Sequence, residues 1–283
     1  MRSPALVALV ATAWLGAGAC GGTGSSTEPI AQPSPTIDVR TLTVQESTRT
    51  YRLVVPTGTP SGKPLPLVLV LHGSSSTADE VAVTTGFDLV AVQGQAIVVY
   101  PNAYNGRWYS TGSGTLDDVL FIRMLIDRLK ADFQIDPARI YATGFSNGAD
   151  MTYRLACQLA DRIAAVGPVA GTNGSANCHP SNAISVIAFH GTDDSNSRYQ
   201  GDPGIGVLSF GAEFDRWQQV NGCTGSPKVD DSGSLVIKSA AGCNAGTGVA
   251  YYTLVGGDHE WPRSATLSAT KLMWQFFAAH ARA

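Results

Sequence analysis

Five consecutive residues, Gly144-Phe145-Ser146-Asn147-Gly148, constrain this chain more than any other stretch. Before them runs Ile140-Tyr141-Ala142-Thr143, apolar enough for a buried strand, and after them a helix-compatible stretch continues to Ala160. A strand that turns straight into a helix around a serine leaves that serine at the tip of a sharp bend. Glycines on either side leave room for a base to reach the hydroxyl from one direction and a substrate from the other. With 31 Gly in 283 residues the pattern alone carries moderate weight, so its surroundings must decide.

Those surroundings alternate between strand and helix patterns. Strands are expected over 37–45, 50–55, 67–72, 96–100, 140–143, 164–170, 183–190 and 248–255. The central ones are almost continuously apolar, as strands covered on both faces are. Helices are expected over 116–133, where Leu120, Ile122, Leu125, Ile126 and Leu129 repeat at three- and four-residue steps, and over 209–220 and 265–280. Alternating units of this kind imply an α/β fold with a mostly parallel sheet, helices on both faces and antiparallel leading strands.

Met1-Arg2, an apolar run over 4–15 and small residues up to Cys20 have the layout of a secretory signal, too short to span a membrane. Leu15-Gly16-Ala17-Gly18-Ala19-Cys20 resembles a bacterial lipobox, with Ala17 where leucine is more usual. The expectation is a signal peptide over 1–20 with Cys20 lipidated, the alternative being plain cleavage near Ala19. Residues 21–36, rich in Gly, Ser, Thr and Pro, read as a flexible tether, and 37–283 as one domain. A net charge of −3 supplies no basic stripe for nucleic acid, so contact with a membrane is expected only through the lipid.

Five cysteines are an odd number for an exported chain, which is explained if Cys20 carries lipid and Cys157, Cys178, Cys223 and Cys243 form two bridges. Of three connectivities, Cys157–Cys178 and Cys223–Cys243 close the short local loops, each worth about 3 kcal/mol in the chain-entropy model. Buried free thiols are the other reading. None of the four has metal-ligand spacing.

A serine hydroxyl is a weak nucleophile and needs a base, itself oriented by a third group. The apolar run 183–189 ends in His190-Gly191-Thr192-Asp193-Asp194, so two carboxylates lie at the carboxyl end of a buried strand, where ligand-facing groups of open sheets sit. Spacing after the turn favours Asp194 over Asp193 as the acid, against a reading of both as solvated caps. Only His259 and His280 follow, and His280 sits at the end of the terminal helix, so His259 in Gly256-Gly257-Asp258-His259-Glu260-Trp261-Pro262 is the expected base. His72 and His190 read as structural donors, His179 as exposed, and Asp258 as a solvated loop acid. Asp117 and Asp118 open the longest helix and complement its dipole. Charge developing on oxygen also needs preset donors. The backbone N–H groups of Asn147 and of Ser74, in Leu71-His72-Gly73-Ser74-Ser75-Ser76, are in place for that.

Taken together, Leu71-His72-Gly73, Asp117-Asp118-Val119-Leu120-Phe121-Ile122, Asp136-Pro137-Ala138-Arg139-Ile140-Tyr141, Gly144 to Ala149, His190 to Asp194 and His259-Glu260-Trp261-Pro262 resemble the secreted poly(3-hydroxybutyrate) depolymerase and feruloyl esterase family of α/β-hydrolases. The resemblance covers most of residues 50–280. It implies the α/β-hydrolase fold for 37–283, Ser146 as nucleophile, Asp194 as acid, His259 as base, and no metal or organic cofactor. Ala149, where a second glycine is common, and Glu260, where a less acidic residue is common, are departures that bear on substrate preference. The expected activity is serine ester hydrolysis through an acyl-enzyme, on feruloyl or carbohydrate-linked esters or on hydroxyalkanoate oligomers. Tyr104, Arg107, Trp108 and Tyr109, in a loop after the strand 96–100, and Trp261 beside the base are the candidate substrate contacts. Two other readings stay open: a lipid-anchored binding protein that keeps the fold without turnover, and a serine peptidase.

Overall fold

The computed structural model describes residues 34–58, 62–110, 117–172 and 178–282. The leader, Cys20 and most of the tether lie outside them. One ten-stranded sheet organises the rest: β1 (Thr36–Val44), β2 (Ser47–Val55), β3 (Leu65–Leu71), β4 (Ile97–Pro101), β5 (Ile135–Phe145), β6 (Ala165–Val169), β7 (Ser185–Gly191), β8 (Lys228–Asp231), β9 (Leu235–Ser239) and β10 (Val249–Leu254). Their spatial order is β1-β2-β4-β3-β5-β6-β7-β10-β9-β8. The six strands from β4 to β10 in that order pair in parallel, while β1–β2, β2–β4 and the trailing β10–β9–β8 ribbon are antiparallel. The leading antiparallel strands match expectation. The β8–β9 hairpin is an addition.

The two faces of β3 show how the core is divided. Leu67, Leu69 and Leu71 point into one cluster with Phe121, Tyr153 and Trp217, and Val68 and Val70 into another with Phe87, Met273 and Phe277. The first layer is supplied by α3 (Asp118–Asp132), α4 (Asn147–Gln158) and α5 (Phe210–Val220), the second by α1 (Ala78–Thr85), α2 (Asp88–Val92) and α6 (Ala269–Ala279). Alternation of side chains across a strand feeds both layers, so β6 and β7 are buried at every position.

Helix starts obey capping chemistry. Asp117 accepts from the Val119 and Leu120 amides to begin α3, and Ser268 caps α6, so these helices start later than the apolar pattern alone indicates. Thr77 and Glu80 form a reciprocal capping box on α1. The disulfides pair Cys157 with Cys178 and Cys223 with Cys243.

Parallel pairing brings five strand ends to one rim. Leu71 of β3 is in register with Gly144 of β5, Phe145 with Val169 of β6, Val169 with Phe189 of β7, and Gly191 with Leu254 of β10. Ser74, Ser146, Asn147, Asp194 and His259 each follow one of these ends.

Candidate active site

Ser146 leaves β5 with φ 55° and ψ −122°, a conformation that side-chain-bearing residues rarely adopt. Strain of roughly 1–3 kcal/mol persists at such a position only where the surroundings enforce it. They do so here. The Ser146 amide donates to Val169 O at 3.0 Å, and its carbonyl accepts from Ala149 and Asp150. A Cβ on Gly148 would lie 2.3 Å from Leu71 O, and one on Gly144 2.3 Å from Gly148 O, so only glycine lets β3, β5 and α4 meet this closely. A Cβ on Gly73 would stand 3.4 Å from Ser146 Cβ, which puts the 73–75 turn directly against the serine.

The amides expected to face developing charge are both uncommitted. Asn147 opens α4, so its N–H has no carbonyl one turn back. Ser74 N–H donates to no backbone carbonyl among the described residues. The direction of that N–H is fixed through its own peptide plane. Gly73 O, on the opposite edge of the plane, takes a 2.7 Å bond from His72 Nδ1. His72 Nε2 accepts from the Ala103 amide at 2.9 Å, which requires the proton on Nδ1, and burial lowers the pKa of this ring, keeping it neutral.

A second brace is the loop 102–109. The Asn147 side chain pairs with both backbone groups of Trp108, at 2.8 and 3.1 Å. The Trp108 indole N–H donates to His72 O at 2.9 Å. Ser75 N–H reaches Gly106 O at 2.8 Å. The loop is held at its ends by a buried ion pair: Arg49 donates to Asn102 O and to Asp118 Oδ1 (2.8 Å), while Asp118 Oδ2 accepts from the Tyr109 amide. Trp108 is therefore corrected from a substrate contact to a core residue, 1% exposed and with its polar edge consumed. Asp118 likewise does more than complement a helix dipole. Tyr109 remains half-buried at the rim.

The acid and base loops close the other side. Asp194 is buried and Asp193 exposed, and it is Asp194 Oδ2 that meets His259 Nδ1 at 2.8 Å. Asp194 Oδ1 accepts from the Asn196 and Ser197 amides at 2.9 and 2.7 Å. The two loops are joined by Thr192 N–H to Leu254 O, Asp193 N–H to Gly257 O and Gly256 N–H to Thr192 Oγ1. Gly191 passes so close that a Cβ would sit 2.1 Å from Gly257 O. The His259 ring lies 4.9 Å from that of Phe145, the neighbour of Ser146. Among the described residues no hydrogen bond joins Ser146 Oγ to His259. Such bonds are often long in free enzymes and tighten when substrate is bound.

Phe145, Leu254, His259, Glu260, Trp261 and Arg263 are among the residues that line a pocket of about 470 Å³. Trp261 shows it only an edge, since its indole N–H donates to Thr270 and its ring packs on Phe87. A wider groove of about 750 Å³, between α1, α2 and α6, shares Arg263 with that pocket but contains none of Ser146, Asp194 and His259. One titratable group at the rim escapes sequence reading. Asp150, one turn after Ser146, accepts from the Thr172 amide at 2.8 Å. Burial pushes its pKa up to about 7, against the opposing pull of the Thr172 N–H and the Arg107 charge.

The sequence profile described as Esterase PHB depolymerase matches residues 49–199, more than half of the chain. The chain belongs to the esterase PHB depolymerase family. It is 31% identical to feruloyl esterase B of Piromyces equi over 72% of this chain, but spans only 41% of that protein. With feruloyl esterase C of Emericella nidulans the identity is 30%, covering 82% of this chain and 84% of the relative. Acetyl xylan esterase from Aspergillus awamori superposes with a TM-score of 0.66 at 14% identity, over 86% of this chain and 99% of that one. The fold is that of the α/β-hydrolase esterases.

Proposed function

We propose that this chain is an exported serine carboxylic-ester hydrolase in which Ser146 attacks, His259 moves the proton and Asp194 orients His259. The observation that carries the reading is the 2.8 Å contact between Asp194 and His259 at the rim where Ser146 is held in a strained bend. A carboxylate accepts the Nδ1 proton, leaving the Nε2 lone pair free to take the hydroxyl proton of Ser146. As Oγ adds to the ester carbonyl, the amides of Ser74 and Asn147 take up the charge on oxygen, each contributing about 3 kcal/mol. His259 then gives its proton to the departing alcohol, and water repeats the cycle on the acyl-enzyme.

The pocket beside His259 mixes apolar side chains (Phe145, Leu254, Trp261, Leu267) with polar ones (Thr84, Glu260, Arg263, Ser264), which suits an acyl group carrying a hydroxylated aromatic ring or a short hydroxyalkanoate unit, and relatives named feruloyl esterase support the first. Export, with a lipid on Cys20 tethering the domain, rests on the leader and agrees with two disulfides in the folded part. Replacing Ser146→Ala tests the reading: turnover of p-nitrophenyl acetate is lost while the melting temperature is kept, and full turnover in that variant refutes it. Comparing methyl ferulate, acetylated sugars and hydroxybutyrate oligomers then ranks the substrates.

A further inference from the structure

Asp194 touches a second imidazole. His190, the last buried side chain of β7, places Nε2 2.7 Å from Ser197 O and 3.2 Å from Asp194 Oδ2. A carbonyl oxygen only accepts, so Nε2 carries the proton, and the N–H is shared between the carbonyl and the carboxylate. The Ser197 amide in turn donates to Asp194 Oδ1 at 2.7 Å. His190, Ser197 and Asp194 thus form a closed ring of bonds in which the imidazole meets Oδ2 of the carboxylate directly and Ser197, whose carbonyl it holds, donates to Oδ1.

The rest of the ring's surroundings forbid any other state. Nδ1 has no partner among the described residues, and the imidazole is packed edge-on against Tyr199 and Phe210. Protonating Nδ1 would create a buried donor with nothing to bond, beside the proton-bearing His259. Desolvation lowers the pKa of His190 accordingly. The titratable groups facing it are Asp194, His259 and Tyr199.

The geometry points to His190 as a positioning residue: an Nε2–H donor that, with Ser197 whose carbonyl it holds, aims the Asp194 carboxylate at His259 and withdraws part of its charge. The inference rests on the roles proposed above for Ser146, Asp194 and His259. Without this donor, the charge of Asp194 falls more fully on His259.

The test compares parent, His190→Phe and His190→Gln on p-nitrophenyl acetate across pH, with melting curves for each. In His190→Phe, kcat/KM drops on the order of 10- to 100-fold with KM nearly unchanged, as expected for a misaimed relay. The acid limb of its pH profile moves up by about half a unit, the equivalent of one modest hydrogen bond. His190→Gln, whose amide nitrogen reaches the Nε2 position, restores the parent profile and most of the rate. A His190→Phe profile identical to the parent, or equal loss in both variants with no pH shift, overturns the proposal. If neither variant folds, imidazole ¹⁵N spectra of the parent decide: a neutral His190 with its proton on Nε2 from pH 6 to 8 is required, and titration or the Nδ1-protonated form in that range refutes it. A parent without esterase turnover defeats the hydrolase reading instead, and the spectra still report the His190 bond.

Discussion

Asn147→Ala isolates the joint between the serine bend and the loop that braces it. The Asn147 side chain is the partner of both the N–H and the C=O of Trp108, at 2.8 and 3.1 Å, in a buried position. Truncation leaves those two backbone groups unpaired, and an unsatisfied buried polar group costs about 1–3 kcal/mol. Partial relaxation puts the combined loss at about 3 kcal/mol. For a domain of this size, each kcal/mol lowers Tm by roughly 2–4 °C, so thermal melts should show a fall of roughly 6–12 °C. Asn147→Asp sharpens the test. It keeps the acceptor for the Trp108 N–H but sets a carboxylate oxygen against the Trp108 carbonyl, which raises the pKa of the new acid in the folded state. Stability from the protonated acid, a donor again, is present at low pH and lost as pH rises through that raised value. An Asn147→Ala protein that melts within a degree of the parent refutes the claim that this pair holds the loop.

Gly191→Ala puts a methyl 2.1 Å from Gly257 O and parts the acid and base loops; a displacement near 1 Å costs about 100-fold in kcat, read by ester turnover, with roughly 1–3 kcal/mol of overpacking in the melt. His72 and His190 both have lowered pKa values through burial, so the unfolded chain takes up protons below about pH 6.5 that the folded one refuses, and stability falls as pH drops. Asp150 at about 7 acts with the opposite sign, losing stability as pH rises towards 7, so Asp150→Asn should make the acid-side fall of Tm steeper. Removing the bridge with Cys223→Ser and Cys243→Ser opens a loop of sequence separation 20, and unfolding by guanidinium should report a loss of about 3 kcal/mol.

The serine bend was legible because its requirements are local: glycines where β3, β5 and α4 approach, a strand before, a helix after. The meeting of Asp194 with His259 was legible because each follows a strand of the parallel sheet, and parallel pairing delivers such positions to one rim. What stayed hidden depends on distant partners. Trp108 is closed off by His72 O and by Asn147, 36 and 39 residues away in the chain, and nothing near it announces this. The hairpin β8–β9 escaped because β8 is exposed at every position at the sheet edge, so Lys228, Asp230 and Asp231 show no core pattern. Helix α1 did carry a signal, Thr77-Ala78-Asp79-Glu80, the two ends of its capping box. For His190, the sequence supported a structural donor, but only the fold reveals that the acceptor is the proposed catalytic acid.

The central claim is that Ser146 is activated by His259. Labelling with a fluorophosphonate, followed by mass spectrometry of the digested protein, tests it most directly, because only an activated serine reacts quickly. The account predicts one phosphonyl adduct, on Ser146, formed by the parent and lost in His259→Ala. An adduct on another residue, or equal labelling of Ser146 without His259, contradicts it.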